Sequence, residues 1–357
     1  MNAARSRGQL LDFLKNNHSD LQGLPARDVH RLRAIVFTRL AKGTAEPELL
    51  EEIQSELELG DDLHAACAAA SALSKLAKPG LDSPVWLLCS LNRFAHADRL
   101  VDIENPFSST PNRHSGVSKL IEAYCGLPEA VRAKHKTVWL DWLGRNGVRL
   151  KTSDLERLEN ACNLQDSPCC ASVEVGRNEE NLNPLPLPVL PNSVLSAVVQ
   201  DQSGRQEQFS GVFLGKVSLL VFFYTRCMNP AKCARTIAGL VKIRKELTRR
   251  ALDQRFGLFA VTYDPEWDTD ARLVQYGRER SFPFDDDTRF IRFTRHWSDV
   301  VTEMELSVGF GGGSVNRHGT DMFIVGPDGQ PLLRWPNRSW SEDQILNTLI
   351  DNANQNS

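Results

Sequence analysis

No part of this chain approaches the run of about 20 apolar residues that a membrane-crossing helix needs. The longest such run, Val217 to Tyr224, has the length of a single strand. Charge of one sign is lacking too. The 42 Lys and Arg stand against 45 Asp and Glu, a net charge of −3, which leaves no electrostatic footprint for nucleic acid or an anionic membrane. The opening residues, MNAARSRGQLLDFLKNNHSD, hold no apolar core of the sort a secretory signal requires, because Asp12 interrupts Leu10 to Leu14. A soluble, cytoplasmic protein without a membrane anchor is therefore expected. A disulfide scaffold is not: the eight cysteines, Cys67, Cys89, Cys125, Cys162, Cys169, Cys170, Cys227 and Cys233, are spread over a long chain. Cysteines that pair up in such a setting point to redox or metal chemistry.

What is present is globular: 41% hydrophobic and 24% charged residues, over 357 residues, too many for one small core. The pattern divides in two. Residues 1–165 show helix periodicity. Pro47 opens a stretch in which Leu49, Leu50, Ile53 and Leu57 share one face, Gly60 to Asp62 make a turn, and Leu63 to Leu76 follows as an Ala-rich helix with Asp61 or Asp62 as its N-cap. This hairpin resembles one repeat of the HEAT-like α-solenoids. Val85 to Phe94, Ser118 to Tyr124, Pro128 to Leu143 and Ser153 to Cys162 read as further helices of an all-α domain, either such a stack or an irregular bundle. Residues 166–192 carry Pro184, Pro186, Pro188 and Pro191 and read as an extended linker, headed by the vicinal pair Cys169 and Cys170.

In residues 193–357 the period changes. A hairpin turns at Ser203-Gly204; Val217 to Tyr224 and Phe256 to Thr262 are apolar but for Ser218 and Thr262, as strands buried on both faces require. Ile237 to Leu247 and Thr269 to Arg280 read as helices, Thr320 to Val325 as a third strand, Pro331 to Trp335 as an edge strand and Ser341 to Asp351 as a closing helix. Strands alternating with helices give an α/β domain.

The chemistry concentrates in FFYTRCMNPAKCARTIAGL. Cys227 leaves the carboxyl end of a buried strand and Cys233 stands at the start of the next helix, where unpaired amides favour a thiolate. Lys232 and Arg235 add positive charge nearby. Two unrelated structural cysteines are the bland alternative.

That strand and its Cys pair, the segment VTYDPEWDT from Val261 to Thr269 and the segment NRHGTDMFIVGPDG from Asn316 to Gly329 are, as an ordered set, similar to the landmarks of the Sco/SenC family. The resemblance covers about 155 residues. It implies a thioredoxin-like fold in which Cys227, Cys233 and His318 bind copper, as Cu(I) or, with a further ligand, Cu(II), and in which Cys227 and Cys233 can also act as a redox pair. Asp264, Pro265, Asp268 and Thr269 match a landmark that orders a loop. The family usually places three residues between its cysteines. Here five intervene, Met228 to Lys232, so disulfide geometry and copper affinity are expected to differ. A loop ahead of a parallel strand would bring His318 to the thiols.

Other features read more plainly. His296 is expected at the surface or in packing, Met228 and Met304 in loop or core packing rather than as thioether ligands, and Cys67, Cys89 and Cys125 in the helical core. GFGGG, Gly309 to Gly313, lacks the Lys-Ser/Thr of a phosphate loop and is expected to be a flexible loop carrying His318. Three functions stand side by side: copper delivery or sensing for a protein client docked by the helical domain, thiol-disulfide exchange without copper, and a helical scaffold with a vestigial redox domain. Thr225-Arg226-Cys227 does not supply the Thr-x-x-Cys spacing of thiol peroxidases.

Overall fold

An Ala-rich helix can be surrounded on nearly all sides, because methyl groups let neighbouring helices approach closely. In the computed structural model of the protein that is the position of Leu63–Leu76. Residues 6–15, 18–77, 82–95, 99–108, 114–147, 150–162, 187, 189–213, 215–335 and 340–355 are described. Cys169 and Cys170, with the rest of residues 163–186, lie outside them. The chain divides into two compact units, Met1–Glu179 and Glu180–Ser357.

The first unit contains α1 (Arg7–Asp12), α2 (Ala26–Leu40), α3 (Pro47–Leu59), α4 (Leu63–Leu76), α5 (Ser83–Phe94), α6 (Gly116–Cys125), α7 (Glu129–Ala133), α8 (Lys136–Asn146) and α9 (Thr152–Cys162), with a two-stranded ribbon of β1 (Leu100–Val101) and β2 (His114–Ser115). α4 is enclosed on most sides: Ala65, Ala66, Ala68, Ala69, Ala70 and Ala72 are all inaccessible, and only Lys75 is exposed. It stacks between α2 and α6 while α3 packs on α5, so alternate helices form two layers. Asp62 caps it, its carboxylate accepting from the amides of His64 and Ala65. The single helix expected over Pro128 to Leu143 is broken into α7 and α8 at Lys134 and His135. The break lets Trp139 stack on Tyr124 at 3.6 Å and donate to the carbonyl of Pro84. Cys67 and Cys162 are buried, but Cys89 and Cys125 are only half-buried, at the margin of the core.

The second unit is a mixed sheet with helices on both faces. Its elements are α10 (Asn192–Leu195), β3 (Val198–Asp201), β4 (Gln206–Gln208), β5 (Val217–Phe223), α11 (Arg235–Arg249), β6 (Phe256–Thr262), α12 (Asp270–Glu279), β7 (Thr288–Phe293), α13 (Trp297–Glu303), β8 (Val308–Gly311), β9 (Ser314–His318), β10 (Met322–Val325), β11 (Pro331–Trp335) and α14 (Glu342–Gln355). The strand order is β11-β10-β5-β6-β7-β3-β4. β5, β6 and β7 are parallel, and β10 runs antiparallel to β5 with Met322 opposite Val221. Every residue of β5 and β6 is buried, which is why both stretches lack polar alternation. This is the thioredoxin-like arrangement expected, and the first unit, taken by itself, is mostly helical as expected. Among the described residues no helix is long and apolar enough to cross a membrane.

Two expectations about the second unit need correction. The strand after His318 is antiparallel, not parallel, to its neighbour β5, so the beginning of β10 lies beside the end of β5 by direction alone. The GFGGG segment is not a loose loop: Gly309 to Gly311 belong to β8, and Gly312 and Gly313, at φ of 60° and 75°, make the turn into β9. His318 ends β9 at 3% exposure and is held by the hairpin rather than swinging on a tether.

Candidate metal centre

β5 delivers the first donor. After Phe223 the chain turns, the amide of Cys227 donating to the carbonyl of Tyr224, and Cys227 is left half-buried at the sheet's rim. The turn is fixed from below by Asp268. Its carboxylate is inaccessible and accepts from the backbone amide of Thr225 at 3.1 Å and from the hydroxyls of Thr225 and Thr262. Burial pushes this carboxyl upward, against the pull of the threonine hydrogen bonds. Asp264 pairs with Arg226, whose guanidinium also lies 4.3 Å from the centre of the Trp267 ring. Asp264 and Asp268 thus order the loop, and neither is one of the three clustered donors.

A wide helical turn, Pro230–Ala234, carries the second donor. Asn229 caps it, accepting from the amide of Ala231, and Cys233 points inward at 2% exposure. The expected pair of helper cations is rearranged. Arg235 donates to the carbonyl of Trp340, and Lys232 is buried at 1% exposure with its Nζ 2.8 Å from the carbonyl of His318.

His318 supplies the third donor. Its Nδ1 lies 2.6 Å from the carbonyl oxygen of Gly319. A carbonyl can only accept, so Nδ1 carries the proton and Nε2 presents its lone pair. Nε2 is 3.8 Å from Cys233 Sγ. The ring is flanked by Tyr224 in an edge contact at 5.0 Å and by Tyr263 at 5.5 Å. Tyr263 donates to Asp321 at 2.6 Å, and Asp321 also accepts from the amide of Ser307 and from Arg334, fixing the chain just beyond His318.

The two sulfurs and Nε2 lie within 4.8 Å of one another. With bonds of zinc-like length, about 2.3 Å to sulfur and about 2.0 Å to nitrogen, a trigonal ion would separate its sulfur and nitrogen donors by about 3.7 Å. The observed 3.8 Å between Cys233 Sγ and Nε2 therefore fits an ion held by two thiolates and one imidazole.

Without an ion the sulfurs are unequal. The hydrogen bond from the Cys233 thiol, assisted by His318, outweighs burial at Cys227 and pulls it down to about 4. Burial, then the Cys227 sulfur, pushes the Cys233 thiol up. The pair shares one proton, carried by Cys233. The expectation that the helix start would favour the thiolate at Cys233 is corrected: full burial outweighs it there, and the acidic thiol is Cys227.

The remaining singled-out residues stand apart. His296 is exposed, before α13 and paired with Asp299; Met304 is buried in the core; Met228 is 92% exposed and packs on nothing substantial. Lys232 was expected as a cation near the thiols, but its burial was not. A lysine between two cysteines reads as a surface cation, and nothing in its spacing signals otherwise.

No curated protein matches the chain. Among solved structures it is similar to BsSco, described as a member of the Sco family of cytochrome c oxidase assembly proteins, at 20% identity over 48% of this chain and 97% of that one, TM-score 0.40. It is also similar to copper-bound Arabidopsis thaliana ScoI, at 14% identity, 44% and 96% coverage and TM-score 0.37. Copper-bound yeast Sco1 shows 15% identity, 44% and 86% coverage and TM-score 0.36. Residues 199–353 match the family model described as SCO1/SenC, and the C-terminal half of this chain is accordingly a SCO1/SenC domain.

Proposed function

We propose that the C-terminal unit binds one copper ion as Cu(I) through Cys227 Sγ, Cys233 Sγ and His318 Nε2, and exchanges it with a protein client. The observation that carries this reading is the convergence of three soft or borderline donors within 4.8 Å, with the imidazole held in the tautomer that turns Nε2 toward the sulfurs. Two thiolates and one imidazole form a low-coordinate, sulfur-rich set that suits Cu(I). Family membership of the domain supports the same ion. When bound, the ion is cargo, and the protein's part is to hold the three donors at the rim of the sheet, where the half-buried Cys227 is the donor an incoming client can reach. Docking of that client is assigned to the helical unit, since layered helices offer extended surfaces. Anaerobic titration against a chromophoric Cu(I) chelator should show one equivalent taken up per chain, with the thiols becoming unreactive to alkylation as it fills. A protein that leaves the chelator fully loaded at one equivalent would end this reading.

A second reading is favoured by the inequality of the sulfurs. A half-exposed thiolate at Cys227 beside a buried thiol at Cys233 is the arrangement of an attacking and a resolving cysteine. Cys227 would attack a client disulfide, forming a mixed disulfide and releasing one client thiolate. Cys233, losing its proton, would then attack the Cys227 sulfur, leaving a Cys227–Cys233 disulfide and a client reduced by two electrons. This chemistry needs no imidazole ligand.

A further inference from the structure

The rim of the sheet around Cys227 is rich in exposed apolar surface. Among the described residues of the second unit the exposed large apolar side chains are Val189, Met228 and Trp267, and the last two lie at this rim. Met228 directly follows Cys227 and is 92% exposed; Trp267, on the loop that Asp264 and Asp268 order, is 40% exposed. Arg226, directly before Cys227, is the link to that loop. It pairs with Asp264, and its guanidinium lies 4.3 Å from the centre of the Trp267 ring. A second guanidinium, that of the exposed Arg272 on α12, lies 3.9 Å from the same ring. Arg272 donates to the carbonyl of Trp267 at 2.5 Å, and among the described residues no carboxylate is paired with it.

We propose that this rim is a docking surface for an acidic segment of the protein client, in which Arg272, stacked on Trp267, receives a carboxylate close to Cys227. The inference rests on the reading above that a client reaches Cys227, and goes further by naming the surface and the chemistry it selects. Stacking occupies the face of a guanidinium and leaves its edge N–H groups, the geometry that receives a carboxylate. The ring and the carbonyl of Trp267 already fix the cation, so little ordering is left to be done when a partner arrives. Trp, Met and Arg are also the side chains enriched where proteins meet. Arg226 is neutralised by Asp264, which leaves Arg272 as the cation of the patch that lacks a carboxylate. Glu266, exposed on the same loop, offsets part of the attraction, so the selection is local to Arg272 and modest in size.

The test uses the reduced, metal-free full chain and two synthetic peptides. Each peptide carries one cysteine activated as its 2-thiopyridyl disulfide, flanked by Asp in one and by Lys in the other, about 10–13 Å away along an extended chain. The Cys227 thiolate attacks the peptide sulfur, a Cys227–peptide disulfide forms, and the released pyridine-2-thiolate takes a proton from water to give the absorbing thione. The part of the rate that is absent from Cys227→Ser is the part read. The ratio of the acidic to the basic peptide's rate cancels any change in the sulfur itself. At low salt it should fall at least about threefold in Arg272→Gln. Trp267→Ala, which removes the platform under the guanidinium, should lower it as well. Arg278→Gln removes an equal charge from an exposed position on the same helix and should leave the ratio within about 1.5-fold of wild type. A ratio unchanged in Arg272→Gln or Trp267→Ala, or lowered as much by Arg278→Gln, overturns the surface while the centre at Cys227 stands. If neither peptide gives a Cys227-dependent release, the reading that a client reaches this sulfur fails, and this inference with it.

Discussion

Replacing His318 with alanine should lower Cu(I) affinity at least about 100-fold while leaving both cysteines countable as free thiols. In the proposed centre the imidazole is one of three donors, and the other two would need water or a foreign ligand to complete the set. Losing even an outer partner of a metal ligand typically costs about 10- to 100-fold, and losing the ligand itself should cost no less. His318 is 3% exposed, so its removal leaves a small apolar void beside Tyr224 and Tyr263. The sheet beneath it does not depend on the ring: β10 remains paired to β5 from Met322 to Val325. Circular dichroism should therefore show the fold retained while competition with a chelator shows the affinity lost. Thiol-disulfide exchange, in contrast, should survive the substitution. Copper affinity within about threefold of wild type would remove the histidine from the centre.

The second large effect is in the acid range. In the metal-free, reduced protein the alkylation rate of Cys227 should be nearly flat from about pH 8 down to about pH 5 and fall with a midpoint near 4. An ordinary thiol loses reactivity about tenfold per pH unit over the same interval. Linkage fixes the sign for stability. Cys227 has a folded value far below its unfolded one, so the stability it contributes is complete above the ordinary thiol value and is lost as pH falls through 4. Cys233 is shifted the other way, so above the ordinary thiol value the folded state holds a proton the unfolded state has released, and stability declines as pH rises further. Metal-free protein should accordingly be least stable at both extremes. Cys233→Ser removes the thiol that shares its proton, and the midpoint for Cys227 should move back toward the ordinary range. An alkylation midpoint near 8 in the unmodified protein would show that the thiolate is not stabilised.

Much of this was legible in the residues, for a physical reason. A strand buried on both faces must be almost wholly apolar, and an Ala-rich helix behind a capping Asp has few alternatives; Phe256 to Thr262 and Leu63 to Leu76 have in the structure the bounds their composition implies. β7 was not legible. Its TRFIRF carries Arg289, buried at 4%, whose charge is met by Asp201 and Glu207 on strands more than 80 residues earlier, and no local window shows that partnership. The β8–β9 hairpin was hidden by its glycines, which read as a loop although only Gly312 and Gly313 turn. At the site, Cys227, Cys233 and His318 were named through a family register, and the structure brings the three together. The direction of β10, the inequality of the two thiols and the burial of Lys232 depend on which surfaces close over which. Those are tertiary facts that spacing alone does not encode.

The most direct measurement is X-ray absorption at the copper edge on the anaerobically loaded full chain, in wild type and in His318→Ala. The account predicts Cu(I) with two sulfur neighbours and one nitrogen neighbour whose imidazole scattering disappears in the variant. A spectrum that shows no sulfur, or sulfur alone with no change on losing His318, would contradict it.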